Sequence, residues 1–150
     1  MKETRSHQIT RKLKQSPAVV FAALITPTQL RGWWSVNRAI VIPKTGGTWC
    51  ATWGTDEDNP DYISSATIRV FEPNQKLVLG DYQYTSPEGG LPFEADFETT
   101  FAIDPDGSGS ILTVTQTGFP ADPVADEYYA GCETGWQRSL DALDAFLSNE

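Results

Sequence analysis

The chain has 150 residues, 39% hydrophobic and 21% charged, a size and balance suited to one soluble domain over residues 1–150. Its net charge of −9, from 20 acidic and 11 basic residues, argues against nucleic acid, whose phosphates are bound by Lys and Arg, and against an anionic membrane surface. No apolar run reaches membrane-spanning length and no signal-type segment opens the chain, so a cytoplasmic protein without membrane insertion is expected.

The elements follow in order. Residues 6–14 (SHQITRKLK) alternate and predict a strand. Ser16-Pro17 supplies an N-cap and a first-turn proline, predicting a short apolar helix over 17–25. Thr26-Pro27 repeats the device and starts a second short helix carrying Leu30, Trp33 and Trp34. From Arg38 the signal changes to strands. Residues 39–43 form one, Gly46-Gly47 a turn, and 48–54 (TWCATWG) the next. Past the acidic loop DEDNPD come strands over 62–72 and 76–84.

After the loop SPEGGLP, residues 93–104 alternate most regularly, with Phe93, Ala95, Phe97, Thr99, Phe101 and Ile103 on one face. DPDGSGS is a hairpin signal. It leads into 110–117, where Leu112, Val114 and Gln116 share a face. Residues 123–148 predict a long helix with Pro123 in its first turn. Its apolar stripe is Tyr129, Cys132, Trp136, Leu140, Leu143 and Leu147. The sum is an α+β fold, a curved antiparallel sheet of about six to seven strands around a long C-terminal helix. Such a sheet needs a cover, and a helix gripped by it often leaves a cavity.

The segments SPAVVFAALITPTQLRGWW, GGTWCATW, EPNQKLVL, GSGSILTVTQTGFP and GWQRSLDALDAFL occur in that order. Together they resemble successive signatures of the START-like (helix-grip, SRPBCC) superfamily. Within it they resemble the branch of homologues of the heat-shock-protein ATPase activator's C-terminal domain. The resemblance implies the helix-grip fold. It leaves function open, because the superfamily includes lipid carriers, receptors, cyclases and co-chaperones. Relatives often carry a histidine at the positions of Gln116 and Cys132, and both are absent here.

Trp49, Ala51 and Trp53 alternate on one strand face. With Trp33, Trp34 and Trp136 they predict an aromatic interior, which suits either core packing or a pocket. Of Trp33 and Trp34, one should close the helical corner and the other should reach the cavity rim. Tyr82, Phe97, Thr99, Phe101, Gln116, Tyr129 and Cys132 complete the candidate ligand-binding set. Gly131 and Gly135, four apart in the helix, suggest close approach to the sheet or a widened pocket mouth, with a kink or a late helix start as the alternative.

No catalytic motif, metal-ligand cluster or cofactor loop is present. Cys50 and Cys132 are expected as buried free thiols, and His7 is the lone histidine. The expected function is non-enzymatic binding of a small apolar or amphipathic molecule by a monomer or homodimer. One alternative is regulation of a chaperone ATPase by protein contact. The other is a cyclase- or hydrolase-type enzyme using a cavity carboxylate, Glu133 or Asp81.

Overall fold

A computed structural model describes residues 3–149. Strand β1 (Thr4–Leu13) leads into helices α1 (Pro17–Ile25) and α2 (Pro27–Trp33). Six strands follow: β2 (Arg38–Val41), β3 (Thr48–Trp53), β4 (Tyr62–Glu72), β5 (Lys76–Thr85), β6 (Glu98–Asp106) and β7 (Gly109–Pro120). A single 3-10 turn, Pro123–Ala125, then opens into helix α3 (Asp126–Ser148). The strands make one antiparallel sheet in the order β1-β7-β6-β5-β4-β3-β2. β1 and β2 therefore occupy opposite edges, and the α1–α2 corner carries the chain from one edge to the other.

The caps behave as their chemistry requires. The Ser16 hydroxyl accepts from the Val19 N–H, and Pro17 and Pro27 stand in the first turns of α1 and α2. Asp122 accepts from the Val124 N–H and starts the turn before α3. The lower half of α3 buries Leu140, Leu143 and Leu147 in one core with Val20, Leu24 and Leu30. α2 and α3 approach closely because Gly32 has no side chain; a Cβ there would stand 2.6 Å from the Phe146 ring.

One strand departs from the alternation. Residues 93–97 are loop, β6 begins at Glu98, and Ala95 is exposed. Gly118 on the neighbouring β7 explains the break. Its φ of +90° is left-handed backbone, and its missing Cβ makes room for the Asp96 carbonyl. The β6–β7 ladder thus ends at Glu98↔Thr117, with Asp96 and Phe97 packed against Gly118 outside the ladder.

Candidate functional site

The paired tryptophans end α2 in two different ways. Trp33 completes the helix, is 4% exposed, and donates its indole N–H to the Ala23 carbonyl of α1 at 2.8 Å. Trp34 caps the helix, and Ser35 then turns the chain with φ +57°. The two rings stack at 4.8 Å with 6° between their planes. Trp33 closes the corner and Trp34 faces inward, which divides the two roles that the sequence leaves unassigned.

Trp34 is the hub of the aromatic interior. Its ring lies 5.9 Å from Trp49, 5.5 Å from Trp53 and 5.4 Å from Trp136. Its N–H donates to Ser139 Oγ on α3 at 2.9 Å, and its carbonyl accepts the Trp53 N–H at 2.9 Å. Trp49 donates to the Leu24 carbonyl at 3.1 Å. These bonds hold the rings in fixed orientations, because a buried indole N–H needs an acceptor.

Between this cluster, the inner face of the sheet, the first half of α3 and the β5–β6 loop lies a cleft of about 650 Å³. Phe101 forms part of its floor, with its ring 5.6 Å from Trp136 at 72°. Phe93 and Phe97 enter from the loop and pack on Tyr128 at 5.7 and 5.6 Å. A polar knot interrupts the floor. Thr99 Oγ1 receives the Tyr82 hydroxyl at 2.8 Å and the Gln116 amide at 3.0 Å.

Behind the knot, Gln116 pairs across the strands with His7. Gln116 Oε1 and His7 Nε2 are both sealed from solvent without a partner. The amide lies close enough to act on the imidazole's charge, yet makes no well-formed hydrogen bond to it. Burial lowers the His7 pKa below its ordinary 6.5, and Glu133 and Gln116 oppose that shift only in part.

The phenols and the thiol of the cleft stay neutral. Burial pushes the Tyr82 and Tyr128 phenols far up and raises the Cys132 thiol, against which the hydrogen bond to Tyr128 pulls slightly down. Gly131 and Gly135 form part of the α3 wall, and a Cβ at either would meet nothing within 4 Å. Close approach to the sheet does not account for them; both stand beside open space at the cleft's border.

Nine of the twelve candidate residues border the cleft: Trp34, Trp49, Trp53, Tyr82, Phe97, Phe101, Gln116, Cys132 and Trp136. Trp33 is core, and Thr99, 1% exposed, stands behind Tyr82 and Gln116. Tyr129 is a correction. It turns toward β1, donates to the Ser6 carbonyl at 2.6 Å, and carries the Arg5 guanidinium over its ring at 4.6 Å. Its neighbour Tyr128 faces the cleft instead. Tyr128, Cys132, Gly135 and Ser139 share a helical face at spacings of four, three and four, a signal available in the sequence but masked by the stronger leucine stripe. Phe119, also in the wall, follows the β7 segment whose alternation the sequence reading ended at residue 117.

Both carboxylates considered for catalysis lie outside. Glu133 is exposed, and Asp81 is 62% exposed and paired with Arg69 at 2.8 Å. The cavity-carboxylate reading therefore lacks its residues. Cys50 and Cys132 are free but half-buried rather than fully buried. No helix among the described residues is long and apolar enough to cross a membrane.

Comparison with solved structures gives several full-length likenesses. Protein Mll3558 from Rhizobium loti superposes with a TM-score of 0.77 at 24% identity, over 97% of this chain and 99% of that one. Protein MLL2253 from Mesorhizobium loti gives 0.76 at 21%, over 97% and 98%. An uncharacterised protein from Rhizobium leguminosarum gives 0.79 at 23%, over 100% and 98%. At such identities the likeness establishes the fold alone. A search of curated proteins found no match. Among protein families, the profile described as "Activator of Hsp90 ATPase homolog 1-like protein" matches residues 14–148, nearly the whole chain. The chain belongs to that family, and its curved sheet around a C-terminal helix is the family's helix-grip fold.

Proposed function

We propose that the protein binds a small apolar or amphipathic molecule in the cleft between the sheet and α3, without catalysing a reaction on it. The observation that carries this reading is the cleft of about 650 Å³, bordered in α3 by Gly131 and Gly135, which stand beside open space. A helix-interior glycine costs about 1 kcal/mol relative to alanine. Two of them facing empty space favour a site over a core. The volume suits a drug-sized molecule, and an aromatic lining with few polar groups is the usual character of such pockets. The protein is read as cytoplasmic, a monomer or homodimer, and without a cofactor.

The test is mass spectrometry of the native protein and of its denatured extract, followed by titration of apolar compounds against tryptophan fluorescence. Four tryptophans line the cleft, so occupancy should change emission. Absence of any co-purified molecule, together with no response to a varied apolar panel, would refute the reading. Regulation of a chaperone ATPase by direct contact is a second reading. The family's name supports it, as does edge strand β2, where Ile40 is 63% exposed, with Ile42 exposed just beyond. Pull-down and ATPase assays with the chaperone decide it, and loss of binding in Ile40→Lys would mark the surface.

A further inference from the structure

The cleft has an unusual electrical character. Eleven of its twenty-one lining residues are aromatic, none is Lys, Arg or His, and the one charged residue is Glu127. The chain as a whole carries −9. An anionic headgroup seated here would lose its hydration without meeting a counter-charge, which disfavours it in an apolar site. The phenols and the thiol inside stay protonated and offer no charge to a cation, and Glu127, the one carboxylate in the lining, is exposed to solvent.

The hydrogen-bonding groups narrow the ligand further. Three of the four indoles in the wall spend their N–H groups on the protein: Trp34 on Ser139, Trp49 on Leu24 and Trp53 on Trp34. Tyr82 donates its hydroxyl to Thr99, and the Gln116 amide gives Thr99 one of its two N–H groups. Trp136 differs. It is 8% exposed, it borders the cleft, and among the described residues its N–H has no acceptor. Nor is that nitrogen one of the atoms sealed from solvent. It is a solvent-accessible donor on a ring held by packing beside the cleft, unlike the freely rotating hydroxyls of Ser64, Tyr84, Tyr128 and Ser139 that also line it.

We propose, resting on the binding reading above, that the cleft selects an uncharged, ring-containing molecule whose carbonyl or ether oxygen accepts the Trp136 N–H. The class excludes fatty acids and other carboxylates. Flat rings match the aromatic walls, and the oxygen sets their orientation.

Three fluorescent probes test it. Phenylnaphthylamine is neutral and has no carbonyl. Anilinonaphthalene sulfonate has nearly the same shape and carries a negative charge. A propionyl-dimethylaminonaphthalene dye is neutral and carries a ketone. The ketone dye should bind most tightly and the sulfonate at least roughly tenfold more weakly than the neutral amine. Trp136→Phe keeps a ring but removes the donor. It should weaken the ketone dye about fivefold and leave the amine nearly unchanged. Gly135→Lys fits the open space at that position and should raise sulfonate binding to or above that of the amine.

Equal binding of sulfonate and amine by the wild-type protein would overturn the charge selection while leaving the binding reading intact. Equal effects of Trp136→Phe on all three dyes would overturn the acceptor assignment. If no probe binds at all, the binding reading fails and takes this one with it. Circular dichroism reports whether Trp136→Phe folds; the wild-type order of the three dyes decides the charge question without that variant.

Discussion

Replacing Gly131 and Gly135 together by alanine should make the protein more stable and its cleft smaller. Both positions lie inside α3, a 23-residue helix, away from its ends. Each glycine costs the helix about 1 kcal/mol relative to alanine, mainly in backbone entropy. Neither new methyl would meet an atom within 4 Å, so no steric term offsets the gain. The double variant should gain about 2 kcal/mol, which for a chain of this size raises the melting temperature by about 4–8 °C. Thermal unfolding followed by circular dichroism measures this. Both positions border the cleft, so bulk added there should weaken large apolar probes, and Gly135→Leu should weaken them further. A melting temperature that stays level or falls would refute the reasoning, because it would mean the helix backbone is packed where the structure leaves space.

The remaining two predictions concern Trp34 and His7. Trp34→Ala removes the hub of the indole cluster and orphans the Trp34–Ser139 bond. It should cost about 3 kcal/mol in denaturant unfolding and abolish probe binding; an unchanged midpoint would count against the hub role. His7 has a folded pKa below the unfolded 6.5, so the unfolded chain takes up its proton first. Stability should therefore be unaffected by this group above pH 6.5, fall as pH drops through the interval between the two pKa values, and level off below the folded one. His7→Gln should flatten that slope between pH 5 and 7 (roughly the range before carboxylates titrate). An equal slope in both proteins would place the cause elsewhere.

Much of this architecture is legible in local chemistry. Ser16-Pro17 and Thr26-Pro27 mark helix starts because cap geometry is set by adjacent residues. The Leu140-Leu143-Leu147 stripe is readable because burial repeats with the helix. What escapes is set by distant neighbours. The end of β6 depends on Gly118, some twenty residues further along the chain, and periodicity in 93–97 says nothing of it. The choice between Tyr128 and Tyr129 depends on how α3 is rotated above the sheet, since adjacent helical residues point about 100° apart. Trp33 and Trp34 are separated by the helix ending between them, a matter of one residue. The four cleft tryptophans are readable as a set, while the hydrogen bonds that fix Trp34, Trp49 and Trp53 belong to tertiary structure alone.

The strand order has a consequence for how the chain is made. Among the described residues β1 has β7 as its one sheet partner, with His7 opposite Gln116, more than a hundred residues later. At about 5–20 residues per second of ribosomal synthesis, β1 waits on the order of ten seconds with nothing to pair with. An idle strand is an invitation to aggregate. Its composition answers that hazard: TRSHQITRKL alternates polar residues with few large apolar ones and carries Arg5, Arg11 and Lys12. The N-terminal strand is thus written to remain harmless as a free chain and to be captured late, when the hairpin of β6 and β7 presents its edge.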